Sequence, residues 1–156
     1  MLRHKPPEDL IIENSKGEKL MKKYLGLINP WLVEGLMDAI AELCYDDEVA
    51  ALYSYVDPGN EEHYRAIIRE FFVKDFASYS DVKKERTKLA LRYYLSKKDV
   101  DFSGFFNACM PPFDPPNDPR DFFLWIWEEI YGDECYELAD LNKYKVVPDI
   151  YEPNKP

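Results

Sequence analysis

Histidine is the scarcest chemically useful residue in this 156-residue chain, which holds only His4 and His63. Neither has a second histidine three or four positions away, so a histidine-rich metal centre is excluded. Cysteine is nearly as sparse. Cys44, Cys109 and Cys135 are odd in number and far apart in sequence, which suits neither a disulfide scaffold nor a zinc site. Each has apolar or aromatic neighbours and reads as a small hydrophobe in a reducing compartment. The six glycines, Gly17, Gly26, Gly35, Gly59, Gly104 and Gly132, all stand alone. That excludes a phosphate-cradling loop and a glycine-flanked serine elbow, so a Ser-His-Asp arrangement would have to rest on His63 unaided. The longest apolar run, Phe122 to Trp127, is six residues, against the roughly 20 that cross a bilayer. The start, Met1 to Pro7, leads into no signal-peptide core. The expectation is a cytoplasmic protein of one domain, residues 1–156, with no cofactor, no metal and no membrane partner.

What is present is apolar material and negative charge. Hydrophobic residues make up 46% and aromatics 15%, enough to bury a core. Thirty acidic against 20 basic side chains give a formal charge of −10. Coating of nucleic acid or docking on anionic lipid needs the opposite sign, so no direct nucleic-acid binding is expected.

Helical periodicity dominates the chain. A short helix is predicted over Glu18 to Leu27. Asn29-Pro30 supplies a capping side chain followed by proline at the first helical position, predicting a helix to about Cys44 with Leu32, Leu36, Ala39, Ile40 and Leu43 on one face. A helix is predicted over Asp46 to Val56, stopped by Asp57-Pro58-Gly59. Asn60 caps the next, with Tyr64, Ile67, Ile68, Phe71 and Phe76 inward at i, i+3, i+4, i+7 spacing. A further helix runs from Asp81 to Ser96 with Ala90, Leu91, Tyr94 and Leu95 inward. Residues 110–119 form a proline-rich connector. Asp118-Pro119 opens a helix to Tyr131, closed by Gly132, whose apolar block leaves no polar side. Val146-Val147 is the best extended piece. The fold class is therefore all-α: an irregular bundle of six to seven helices with a short extended C-terminal segment, residues 1–16 and 147–156 being loosely ordered.

The charge is unevenly placed. From Tyr24 to Tyr64 there are nine acidic groups and no Lys or Arg, whereas Arg65 to Lys98 carries ten basic and four acidic groups. From Phe113 to Asn142 nine acidic groups face Arg120 alone. Glu34, Asp38, Glu42 and Asp46 would share one column of a continuous α-helix. Like charges at that spacing cost about 0.2–0.5 kcal/mol per pair unless cations face them, and the helix of Lys83, Lys84, Arg86, Lys88 and Arg92 could supply those cations.

No motif names a reaction, and no catalytic residue is assigned. The layout instead resembles, in size, composition and charge placement, the bacterial immunity proteins and nuclease inhibitors, which cover cationic toxins. The resemblance implies an acidic stoichiometric binder, not an enzyme, that masks a basic protein partner such as a toxin or nuclease. Its partner-binding residues would be Glu34, Asp38, Glu42, Asp46, Asp47 and Glu48, with Trp31, Tyr45 and Tyr53 as aromatic anchors. The alternative is a small helical hydrolase or transferase using a buried carboxylate, Glu128 or Glu129, although salt bridges to Arg65 or Arg69 would account for those acids equally well. Oligomeric state is left open.

Overall fold

Helix starts are set by side-chain oxygens that take up backbone N–H groups with no partner inside the helix. Asn29 accepts from Trp31 N–H (3.1 Å) ahead of Pro30. Asn60 accepts from Glu62 and His63 (3.1 and 3.4 Å), and Asp118 from Arg120 (3.1 Å) ahead of Pro119. All three starts are where the sequence puts them. The helix predicted from Asp81 also starts there, with Ser80 accepting from Lys83 (3.2 Å), and one start is added by Asp101, which accepts from Ser103 (3.0 Å).

The computed structural model describes residues 26–154, so His4 and nearly all of the helix predicted over Glu18 to Leu27 lie outside the described residues. In chain order the elements are β1 (Leu27–Ile28), α1 (Pro30–Gly35), a 3-10 helix (Leu36–Cys44), α2 (Asp47–Ala51), α3 (Glu61–Ile67), a π turn (Ile68–Phe72), α4 (Val73–Ala77), α5 (Asp81–Ser96), α6 (Phe102–Phe106), a 3-10 turn (Asn107–Cys109), α7 (Pro119–Tyr131), a 3-10 turn (Leu141–Lys143), β2 (Lys145–Val146) and a closing 3-10 turn (Glu152–Asn154). The architecture is all-α with one minimal strand pair. The chain sorts into two compact units: up to Val33, Tyr79–Lys98 and from Tyr136 on form one, and Glu34–Ser78 with Asp99–Cys135 form the other.

In the first unit β1 and β2 pair in parallel, Leu27 with Lys145 and Ile28 with Val146. Lys145 N–H donates to Gly26 (2.8 Å) and Val147 N–H to Ile28 (2.8 Å). α5 buries Leu89, Ala90, Leu91, Tyr93 and Leu95, with Tyr94 half-buried. Its Arg92 donates to the carbonyls of Tyr136 (3.1 Å) and Glu137 (2.8 Å), and its Ser96 hydroxyl accepts from Leu138 N–H (3.0 Å), fastening the chain that follows Cys135. The segment after Val147, expected to be loose, is held at Asp149 and Glu152. Asn29 donates to the Asp149 carbonyl (2.8 Å) and accepts from the Asp149 N–H (3.1 Å), while Glu152 is buried against Arg86.

Thr87, one turn into the buried face of α5, is 1% exposed and its hydroxyl has no hydrogen-bond partner among the described residues. A buried hydroxyl without a partner is a net cost, and Val has nearly the same shape and helix propensity. Thr87→Val is therefore expected to raise stability by about 1 kcal/mol, read as a higher urea midpoint at unchanged slope. A lower midpoint would show that the hydroxyl is satisfied.

The second unit is organised around α7. Phe122, Phe123 and Ile126 are fully buried and Trp127 nearly so. Phe122 meets Tyr64, Phe72 and Phe106 edge-on at ring separations of 6.0, 5.4 and 5.1 Å, the geometry aromatic pairs prefer. The connector is packed rather than idle: Phe113 is buried, and Tyr64 donates its hydroxyl proton to the Asp114 carbonyl (2.8 Å). α7 stops at Gly132, whose N–H donates to the Glu128 carbonyl (2.8 Å) at φ +66°, a conformation that costs glycine nothing.

Three predicted helices are corrected in detail. The one from Pro30 changes to 3-10 winding at Leu36; Leu32, Leu36, Ile40 and Leu43 are buried as predicted, but Met37 joins them and Ala39 is only half-buried. The one expected from Asp46 to Val56 is α-helical only to Ala51; beyond it Leu52, Tyr53 and Ser54 donate three residues back (3.0, 3.0 and 3.2 Å) and the chain closes as tight turns. In the helix after Asn60, the π turn inserts an extra residue into one turn. The inward face consequently passes from Phe71 to Phe72, and Phe76, four residues on, stays buried.

Candidate functional site

The 3-10 winding of Leu36–Cys44 decides how the acidic residues are displayed. With three residues per turn, positions four apart are rotated by about 120° instead of stacking. Glu34, Asp38 and Glu42 thus do not form the column expected of an α-helix, and the repulsion proper to that column does not arise. Asp46 lies outside the winding altogether. Its backbone is extended and its carboxylate accepts from Glu48 N–H (2.9 Å), capping α2. Asp47 and Glu48 follow in the first turn, where the positive end of the helix favours acids.

The candidate residues differ in setting. Asp38, Glu42, Asp46, Asp47 and Glu48 are exposed, whereas Glu34 is half-buried, and burial raises its carboxyl above the ordinary range. Tyr45, directly before Asp46 in the chain, is 83% exposed. Tyr53 is half-buried among Phe71, Phe113 and Tyr55 at ring separations of 6.2, 6.4 and 6.5 Å, and burial, followed by Glu70 and Tyr55, raises its phenol. It serves the core more than the surface. Trp31 stands on α1 in the first unit and is 39% exposed, so the second unit does not gather it with the others.

The structure separates neutralised acids from uncompensated ones, a distinction that sequence order cannot make. Arg65 meets Glu61 (2.6 Å), Glu129 (2.9 Å) and Glu128, and Arg69 meets Glu62 and Glu129 (3.3 Å), tying α3 and the π turn to α7. Partial burial opposes the charge on Arg65, but its hydrogen bonds to Glu128, Glu61 and Glu129 outweigh that and hold it protonated. Glu128 and Glu129, the acids a hydrolytic reading would use, are thus partners of arginines. Among the described residues no Lys or Arg forms a salt bridge with Glu42, Asp46, Asp47 or Glu48. The cations proposed to face them are in part committed in the first unit: Arg86 to Glu152, Arg92 to two backbone carbonyls, and Lys83 over the Tyr79 ring (4.0 Å).

His63 is engaged in the turn before α3. Its Nδ1 accepts from Asp57 N–H (3.1 Å), and its ring meets Tyr55 edge-on at 5.1 Å. The described residues contain no cluster of three or more His, Cys, Asp or Glu placed to hold a metal ion, and none of their helices is long and apolar enough to cross a membrane.

Sequence reasoning missed two constellations. One is Asn29, Arg86 and Glu152, buried together in the first unit. Its one legible signal is Arg86 itself, which shares a helix face with Ala90 and Tyr93 at i+4 and i+7. The other is the meeting of Cys44 with Cys109, which no spacing announces. The Cys44 thiol lies 3.0 Å from the carbonyl oxygens of both Cys109 and Met110. Compared with family models, curated proteins and solved structures, the chain matches none.

Proposed function

We propose that this chain acts by stoichiometric binding rather than turnover, its acidic face covering a basic protein partner in the manner of an immunity protein covering its toxin or nuclease in the cytoplasm. The observation that carries this reading is the partition of the acids. Glu61, Glu62, Glu128 and Glu129 are matched by Arg65 and Arg69, while Glu42, Asp46, Asp47 and Glu48, exposed and within three residues of the 83% exposed Tyr45, form no salt bridge with a Lys or Arg of the described residues. An exposed aromatic in a short run of exposed carboxylates suits a cationic surface: the charge speeds encounter and the ring anchors the contact.

The test uses Glu42→Lys/Asp47→Lys, which reverses two acids that form no salt bridge among the described residues. Asp133→Lys/Glu137→Lys makes the same change in net charge at exposed acids outside the 42–48 segment. Each is immobilised beside the wild type and exposed to native lysate across a salt series. A basic protein retained by the wild type and by the control, with association to the first variant slowed at least tenfold at low salt, is the expected result. Equal retention by all three would remove the acidic face from the binding, and no retention by folded protein would overturn the binding reading itself.

A further inference from the structure

We propose that Cys44 and Cys109 are a redox pair, closing a disulfide when a low-molecular-weight disulfide such as oxidised glutathione is present, and that the bond latches the end of the 3-10 helix to the Asn107–Cys109 turn. The geometry carries this. The two cysteines are 65 positions apart, yet the Cys44 sulfur lies 3.0 Å from the Cys109 carbonyl oxygen. The Cys109 thiol in turn donates to the Met37 carbonyl (3.4 Å), placing both sulfurs against the same stretch of helix. Neither is sealed in: both cysteines are only partly buried.

The surroundings show what closure would change. Met110, directly after Cys109, sits in the left-handed region at φ +53° and is 79% exposed, a conformation that a non-glycine residue keeps only where its surroundings hold it. What holds it is weak. Its N–H donates to Asn107 (3.1 Å), and its carbonyl accepts from the Cys44 thiol. Tyr45, directly after Cys44, is 83% exposed. A covalent bond between the residues preceding Tyr45 and Met110 would fix these two exposed side chains relative to each other, where now a pair of thiol hydrogen bonds does so.

The chemistry balances without further reagents. The Cys44 thiolate attacks one sulfur of the oxidant and releases one reduced thiol, leaving a mixed disulfide on Cys44. Cys109, having given up its proton, attacks the Cys44 sulfur and releases the second. Two protein thiols are oxidised and one small disulfide is reduced to two thiols. Burial, with Cys44 and Asp38 beside it, pushes the Cys109 thiol up to about 12, so the first attack falls to Cys44 and proximity must drive the second. Cys135, exposed at the end of the second unit, has neither cysteine adjacent in sequence and serves as the internal reference.

The experiment uses the full wild-type chain, reduced and then equilibrated with excess oxidised glutathione at mildly alkaline pH. It is next denatured, alkylated, and mapped by mass spectrometry without reduction. The expected product has lost two hydrogens at one peptide pair, Cys44 with Cys109, with Cys135 either alkylated or carrying glutathione. Its melting temperature should rise by at least roughly 5 °C, since the bond closes a long loop. Recovery of Cys44 and Cys109 as alkylated thiols, glutathione on each without a cross-link, or a cross-link from either to Cys135 would overturn the pairing. A 44–109 cross-link with no rise in melting temperature would overturn the latch.

Discussion

Replacing Glu152 by alanine is expected to lower folding stability by about 3–5 kcal/mol, the usual consequence of removing one partner of a buried ion pair. The Glu152 side chain is 7% exposed and that of Arg86 is 3% exposed. Both carboxylate oxygens are engaged. Oε2 accepts from Arg86 Nε (2.8 Å), and Oε1 accepts from Asn29 (2.8 Å) and from Arg86 Nη2 (3.3 Å). Arg86 Nη1 donates to the Leu27 carbonyl, so one guanidinium joins α5, β1 and the C-terminal segment. Removing the carboxylate takes from a buried cation the counter-charge that two of its nitrogens meet, and it strips the Asn29 amide of an acceptor. Most of the loss is that exposed penalty rather than the attraction itself. It follows that Arg86→Met/Glu152→Leu should lose much less than the two single variants Arg86→Met and Glu152→Leu combined. Urea titrations of the wild type, both single variants and the double variant measure the coupling. A Glu152→Ala midpoint equal to that of the wild type would mean that the segment from Asp149 to Glu152 contributes nothing to the fold.

Phe122→Ala is expected to cost a similar amount, about 3–5 kcal/mol, through the cavity it opens. Phe122 is fully buried, and its ring is enclosed by those of Tyr64 from α3, Phe72 from the π turn, Phe106 from α6 and its own neighbour Phe123 at 5.8 Å. These neighbours sit on separate elements. Collapse onto the hole would require several of them to move together, against their own packing. Phe105, half-buried at the edge of the same group, can let water replace its ring, so Phe105→Ala should cost clearly less. Denaturant unfolding of the two variants gives the comparison; a Phe122→Ala loss no larger than that of Phe105→Ala would remove Phe122 from the centre of the core.

The legible parts of this fold are those governed by a few adjacent residues. Asn29-Pro30, Asn60 and Asp118-Pro119 start helices because a short polar side chain competes for backbone N–H groups wherever it precedes a helical run. α5 and α7 run over the residues predicted, and the apolar run of α7 is buried except for a half-buried Leu124, as its lack of a polar side requires. Val146 falls in the strand pair, as the β-branched run before Pro148 suggests. The misread parts turn on choices that are nearly equal in local energy. Winding as α or 3-10 over Leu36–Cys44, or inserting a π turn at Ile68–Phe72, changes each residue's conformation only slightly. The change decides, however, whether Met37 or Ala39, and Phe72 or Phe71, enters the core.

The same division runs through the candidate site. Composition and order alone determined that the chain is acidic, helical and rich in buried aromatics, and that its acids gather in two stretches flanking a basic one. These are sums and spacings, independent of the path the chain takes. Only tertiary structure decided which acids are neutralised, because a salt bridge such as Arg65 to Glu129 joins residues 64 apart and depends on which helices pack. It decided equally that Glu152 is buried beside Arg86 and that Cys44 rests on Cys109. Contacts of that range are settled by the packing of whole apolar faces, and the polar groups take the partners that packing leaves within reach.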